Sequence, residues 1–214
     1  MVINHYFYSM NKIDTEKTSA LISEALKISM SYVAYRKLVS KLVVSNSTTG
    51  NEQTEALINY TLLNDRRMRR WDKTVKISES DKTAIQKFDK KVIWLVLTES
   101  WCGDAAHVVP VINKVAELNS NIEYKIVLRD TNDELMNAFL TNGNQSIPKL
   151  IMIDKLTGEV LDTYGPRPSI ATAMVNVYKS EHGKLTPEFK EDLQRWYNKD
   201  KGQTTVKDLL ELLK

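Results

Sequence analysis

Val92-Ile93-Trp94-Leu95-Val96-Leu97-Thr98-Glu99-Ser100-Trp101-Cys102-Gly103-Asp104-Ala105 is the stretch that decides the reading of this chain. Val92 to Leu97 are apolar without alternation, as expected of a central parallel strand covered on both faces. The run is far short of the length that spans a bilayer. The segment 102–118 then takes up helical spacing, with Val108, Val109, Ile112, Val115 and Ala116 as its apolar positions. Cys102 therefore stands where a strand ends and a helix begins. Ligand sites of open α/β sheets lie beyond the carboxyl ends of strands. Free amides and the helix dipole at that place favour thiolate over thiol.

The flanking sequence supports the same architecture. Residues 14–44 read as helical, capped by Asp14 or Thr15 and broken near Ser29-Met30-Ser31, and residues 45–50 as a polar loop. Thr49 and Glu52 fit a capping box opening a helix that runs to about Arg70, with Ala56, Tyr60 and Leu63 on a core-facing stripe. Thr74 to Ile77 alternates like a short strand, and a helix follows from Ser78 through Phe88. Tyr124 to Leu128 is a strand and Asn132 to Leu140 a helix. Leu150–Ile153 and Glu159–Thr163 form a hairpin through Gly158, and Ser169 caps a helix over 170–181. Thr186-Pro187-Glu188 starts a first tail helix, with a hydroxyl cap and proline in the first turn. A second carries Val206, Leu209, Leu210 and Leu213 on one face. From residue 72 the order is β-α-β-α-β-α-β-β-α. This is the pattern of a parallel sheet with helices on both faces and a closing antiparallel hairpin.

Composition sets outer bounds. The chain has 214 residues, 42% hydrophobic and 27% charged, enough to bury a core without staples. A single cysteine excludes an intramolecular disulfide and a zinc site built on several thiolates. His5, His107 and His182 share no ligand spacing, so no metal site is expected. Net charge is only +3, divided as 15 basic and 10 acidic groups over residues 1–90 and 15 basic and 17 acidic over 91–214. Met1 to Asn11 lacks the apolar core of a signal peptide, and the expected compartment is the cytoplasm.

Trp101-Cys102-Gly103-Asp104-Ala105 resembles the thioredoxin active-site motif, with alanine at the second cysteine. Pro110 stands where thioredoxins kink this helix. Ser146-Ile147-Pro148 matches their cis-proline loop, and Gly158 and Gly165 match the hairpin and groove glycines. The resemblance covers about residues 72–181. It implies a thioredoxin-like central mixed β-sheet flanked by helices, with a helical N-terminal extension over 1–71 and a two-helix C-terminal extension over 182–214. It also implies a substrate groove in which Cys102 is the attacking thiol. Trp101, Gly103, Asp104, Ile147, Pro148 and Gly165 would line it, with the Ile147 backbone pairing to an extended substrate. Arg167, stiffened between Pro166 and Pro168, would stabilise the thiolate or hold a substrate carboxylate.

The departures bear on function. Ala105 can neither resolve a mixed disulfide nor donate a hydrogen bond to the thiolate, and Asp104 pushes the thiol pKa upward. Val96 occupies the place of the buried acid of dithiol thioredoxins. Glu99 stands where a peroxiredoxin carries threonine, and the motif departs from the Cys-x-x-Ser of monothiol glutaredoxins. The expected activity is thus monothiol exchange through Cys102 with a protein or glutathione, glutathione being a candidate co-substrate and no resident cofactor being expected. The alternative is a redox-inactive module that holds a peptide or protein. The apolar stripes of the extensions would cover the groove, cover the outer helices or form a homodimer. Neither a membrane nor nucleic acid is an expected partner. Arg66, Arg69 and Arg70 share a helix face and would meet acids elsewhere or an anionic partner. His107 lies about 140° around its helix from Cys102 and is expected at the surface.

Overall fold

The computed structural model describes residues 3–214, with side chains from Thr15 onward. The side chains of Met1–Asn11, His5 included, thus lie outside the described residues. The centre is β1 (Val92–Thr98), in which every side chain but Ile93 is buried. Each buried Val or Leu there contributes about 1.5–3 kcal/mol relative to exposure. β2 (Ile122–Leu128) pairs with β1 in parallel, Val92 opposite Ile122. β3 (Lys149–Asp154) lies antiparallel on its other side, and β4 (Val160–Tyr164) closes the hairpin antiparallel to β3. The order β2-β1-β3-β4 is the expected mixed sheet.

The expected strand at Thr74–Ile77 does not form. α3 (Glu55–Thr74) overruns it, with Val75 N–H still donating to the Trp71 carbonyl and the Thr74 hydroxyl to that of Arg70. Val75 and Ile77 pack on the core from an irregular segment instead. The open edge of β2 is met by the N-terminal extension: Met30 and Ile126 exchange both backbone hydrogen bonds, at 2.8 and 2.9 Å. This bridge sits between α1 (Ile3–Lys27) and α2 (Tyr32–Val44), at the break expected near Ser29–Ser31. α1 runs through Asp14 and Thr15, so neither caps it. Ile22 and Ala25 from α1, and Tyr35 and Val39 from α2, join the same core as the sheet.

α3 is capped by Thr54, whose hydroxyl accepts from Leu57 N–H, and not by Thr49, which is spent elsewhere. Its buried face is Thr61, Asn64, Asp65, Met68 and Trp71. The expected stripe is therefore rotated outward: Tyr60 and Leu63 are exposed. α4 (Glu79–Gln86) begins at the Ser78 cap, as expected. α5 (Ala105–Ala116) has ten of its twelve residues buried, which follows from contacts with the sheet, α3 and α9 (Gln203–Leu212). α6 (Asp133–Ala138) is shorter than its pattern suggested. α7 (Ser169–His182) takes Pro168 as its cap residue; Ser169 donates from N and Oγ to Asp208 of α9, at 2.7 Å each. α8 (Pro187–Asp200) opens as expected, with Thr186 accepting from Phe189 N–H, and buries Phe189, Leu193 and Tyr197.

Candidate functional site

The turn from β1 into α5 is held from outside. Ser100 Oγ lies 2.8 Å from Thr61 Oγ1 and 3.1 Å from Thr48 Oγ1, and accepts from Thr49 N–H at 3.0 Å. Ser100 N–H donates to Thr49 Oγ1, and Asn64 Nδ2 donates to the Ser100 carbonyl at 2.9 Å. The polar loop before α3 is thus a buried clamp on the backbone just ahead of Cys102. Gly50 belongs to it: at φ +84° it permits a close approach that a side chain would block, since an added Cβ would lie 2.2 Å from Asp130 Oδ2. Glu99 is buried beside this clamp, accepts from Asp130 N–H at 2.9 Å, and has its carboxyl pushed upward by burial.

Cys102 is 9% exposed, and its thiol donates to the Ile147 carbonyl at 3.2 Å. The Ile147–Pro148 peptide is cis, as the resemblance implied, but the carbonyl expected to face substrate accepts from the chain's own sulfur. Burial pushes the thiol up to about 12, and the Asp104 charge adds to the rise. The amides of Ala105 and Asp104 and the charge of Arg167 pull the other way and lose. The thiolate-favouring helix start is therefore real but outweighed by desolvation.

Asp104 is the centre of a second node. Its Oδ2 pairs with Arg167 Nη2 at 2.6 Å and its Oδ1 accepts from Tyr197 Oη at 2.9 Å. Burial raises its carboxyl while Arg167 and Tyr197 oppose the rise. Arg167 thus reaches the motif, as expected, but binds the motif's own carboxylate. Gly165 takes φ +112° with its missing Cβ against Pro148: an added Cβ would stand 2.1 Å from the Pro148 carbonyl oxygen.

His107 is not at the surface. It is 3% exposed and stacks on Tyr197 with ring centroids 4.2 Å apart. Trp71 Nε1–H donates to its Nδ1 at 2.9 Å, which leaves the proton on Nε2, 2.7 Å from Gln194 Oε1. Burial lowers its pKa to about 3, so it is held neutral. α5 begins only at Ala105, so the projection from Cys102 does not apply, and α8 covers the face on which His107 falls.

Trp101, Cys102, Gly103, Asp104 and Arg167 line one groove of about 600 Å³. Ile147, Pro148 and Gly165 do not line it: the first two are buried and Gly165 packs on Pro148. The other walls are Leu57, Tyr60 and Arg67 from α3, and Leu185, Pro187, Lys190, Glu191, Leu193 and Gln194 at and before α8. Trp101 carries the Arg129 guanidinium over its ring at 4.9 Å. Sequence patterning missed the α3 and α8 walls because their stripes read as packing. The available signal was the pairing of aromatic Tyr60 with charged Arg67 on the side of α3 away from Met68. Among the described residues no cluster of His, Cys, Asp or Glu could hold a metal ion, and no helix is long and apolar enough to cross a membrane.

A family model described as thioredoxin matches residues 50–182, more than half of the chain. The chain belongs to the thioredoxin family. The matched span takes in α3 as well as the sheet. Two solved structures are similar over 89% of this chain, each at 14% identity. One is a protein of unknown function from Pseudomonas aeruginosa, TM-score 0.63 with 95% of that chain covered. The other is an HIV epitope-scaffold, TM-score 0.61 with 96% covered. At that identity they bear on the fold alone. No curated protein matches the chain.

Proposed function

We propose that this thioredoxin-family protein is a binding module that holds an extended peptide or small ligand in the groove over Trp101, with Cys102 as a buried wall residue and no redox turnover. The observation that carries this reading is the thiol's hydrogen bond to Ile147, made by a sulfur that is almost wholly buried. A thiol near 12 is ionised in only about one molecule in 10⁵ at neutral pH, so the attacking species is nearly absent. Ala105 supplies no second sulfur. The test is the pH profile of Cys102 alkylation together with mass spectrometry after exposure to glutathione disulfide. Alkylation confined to strongly alkaline pH and no glutathione adduct is the expected result. Rapid alkylation at neutral pH with an adduct would overturn it.

Monothiol exchange is the second reading, favoured by the place of Cys102 on the groove wall and by Arg167, whose charge opposes that of Asp104 at the sulfur. In that reaction the Cys102 thiolate attacks one sulfur of a protein or glutathione disulfide. The new S–S bond forms as the old one breaks, and the leaving thiolate takes up the proton that Cys102 gave away. A second thiol from outside then releases the mixed disulfide by the same exchange. Disulfide reductase activity in Ala105→Cys would speak for this reading, and inertness of that variant for the binding module.

A further inference from the structure

The α3 side of the groove carries charge that no carboxylate pairs directly among the described residues; Asp104, itself bonded to Arg167, acts on Arg67 only from a distance. Arg69, on the same helix, pairs with Asp65 at 2.8 Å. Arg66, Arg67 and Arg70 make no ion pair among the described residues, yet all three line a cavity of 260 Å³ with Leu63, Gln194 and Asn198. Two of the three are fixed in place. Arg70 Nη2 donates to Asn198 Oδ1 at 2.5 Å, and its guanidinium lies over the Trp71 ring at 4.6 Å. Arg67 Nη1 donates to Asn64 Oδ1 at 3.0 Å, and Asn64 is itself tied to the Ser100 carbonyl. Asn64 is fully buried, so Arg67 is aimed by a side chain anchored on the motif backbone. The cation is retained although partial burial and Arg70 both act against it.

Arg67 and Gln194 also line the larger groove, and Arg67 Nη1 approaches within 3.8 Å of where a Gly103 Cβ would stand. The charged cavity and the apolar groove are therefore neighbours with a shared wall. Three guanidiniums and two side-chain amides, with no carboxylate in pairing distance, make a donor-rich site of the kind that recognises phosphate oxygens, and arginine matches that geometry better than lysine. We infer that the groove ligand is an organic phosphate, its apolar body against Leu57, Tyr60 and Trp101 and its phosphate held by Arg66, Arg67 and Arg70. The ligand's body rests on the groove reading given above; the phosphate site stands on the arginines alone.

The test uses the full chain with three probes: phenyl phosphate, inorganic phosphate and phenol, followed by NMR of the arginine Nε–H groups and of the Trp101 and Gly103 amides. Phenyl phosphate should shift both sets, inorganic phosphate the arginine set and phenol the motif set. Arg67→Gln and the double change Arg66→Gln/Arg70→Gln should each weaken both phosphates at least tenfold, and the double change, which lies outside the larger groove, should leave phenol unaffected. Arg69→Gln, a paired arginine on the same helix, should change neither. Equal phosphate affinity in Arg67→Gln and the unchanged protein would overturn the inference, as would phenylacetate binding as tightly as phenyl phosphate. If inorganic phosphate binds the arginines and phenol shifts no motif amide, the phosphate site holds and the groove reading fails. The reverse pattern sinks the phosphate site and spares the groove.

Discussion

At the sulfur end of the groove, Asp104 is held by Arg167 and Tyr197 and Cys102 bonds the Ile147 carbonyl, while Arg167 Nε stays buried without a partner. At the α3 end, two to six residues beyond Asn64, three arginines face a cavity that no acid lines. The difference separates charge that stabilises the fold from charge left free for something outside it. In a buried pair such as Asp104–Arg167 the carboxylate has exchanged its solvation for partners and has little left to offer a ligand. On α3, Arg67 and Arg70 bond side-chain amides and Arg67 is partly buried, but none of the three lining arginines pairs directly with a carboxylate among the described residues. In this chain Cys102 and Ala105 of the motif are buried while Trp101, Gly103 and Asp104 stay on the groove wall, and the recognition groups we propose lie on the helix beside it.

Asp104→Ala should break the contrast from the closed side and have the largest effect. It leaves Arg167 and the Tyr197 hydroxyl without their acceptor and should cost about 3–5 kcal/mol in urea unfolding. It also removes the charge that raises the thiol, so alkylation of Cys102 should move to lower pH. A stable variant with an unmoved profile would show that the node does not govern the sulfur.

The next effect is one of pH. In the unfolded chain His107 takes up a proton near pH 6.5, and in the folded chain only near 3, because burial against Tyr197 and Trp71 excludes the charged form. The unfolded state binds more protons between those values. The contribution of neutral His107 to stability is complete above pH 6.5 and is lost as pH falls toward 3, on the order of 5 kcal/mol over the window. His107→Gln should flatten that part of the stability profile. An unchanged slope would place the acid sensitivity elsewhere.

Much of the fold was legible because its signals are local. β1 announces itself by an unbroken apolar run, α8 by Thr186-Pro187-Glu188, and the cis-proline loop by its place before β3. The failures share one cause. Thr49, His107 and Tyr60 are polar or amphipathic residues whose environment is made by segments distant in sequence: Ser100 for the first, α8 for the second, the groove for the third. No local pattern encodes that. The Thr74–Ile77 strand failed for a related reason, since alternation is a weak instruction against a helix already propagating from Thr54. The site was half legible: the motif residues were visible, but not that Ile147 and Cys102 would bond to each other.

Ser100→Ala tests how far the clamp of Thr48, Thr49 and Thr61 positions the motif. Three buried hydroxyls and the Thr49 amide lose their shared partner, and the cost should be about 1–3 kcal/mol by chemical denaturation. Arg67 is tied to the same backbone through Asn64, so its Nε–H resonance should broaden or shift in this variant. A fixed resonance would mean that Asn64 alone holds it.

The smallest effect distinguishes the two kinds of arginine on one helix by sign. Arg69 bonds Asp65, which keeps Arg36 at 3.1 Å when Arg69 is removed. Arg69→Ala should therefore lower stability by only about 1 kcal/mol, because Arg69 is exposed and the buried Asp65 keeps a second guanidinium. Arg66 has no acid to lose and stands four residues before Arg70. Its replacement by alanine relieves a like-charge contact and should raise stability by about 0.2–0.5 kcal/mol at low salt, with the gain fading as salt is added. Saturating phosphate should reverse that order, because the unchanged protein gains binding energy that the variant cannot. Loss of stability in Arg66→Ala in phosphate-free buffer would show that Arg66 has a structural partner after all, and would remove the distinction between the two ends of the groove.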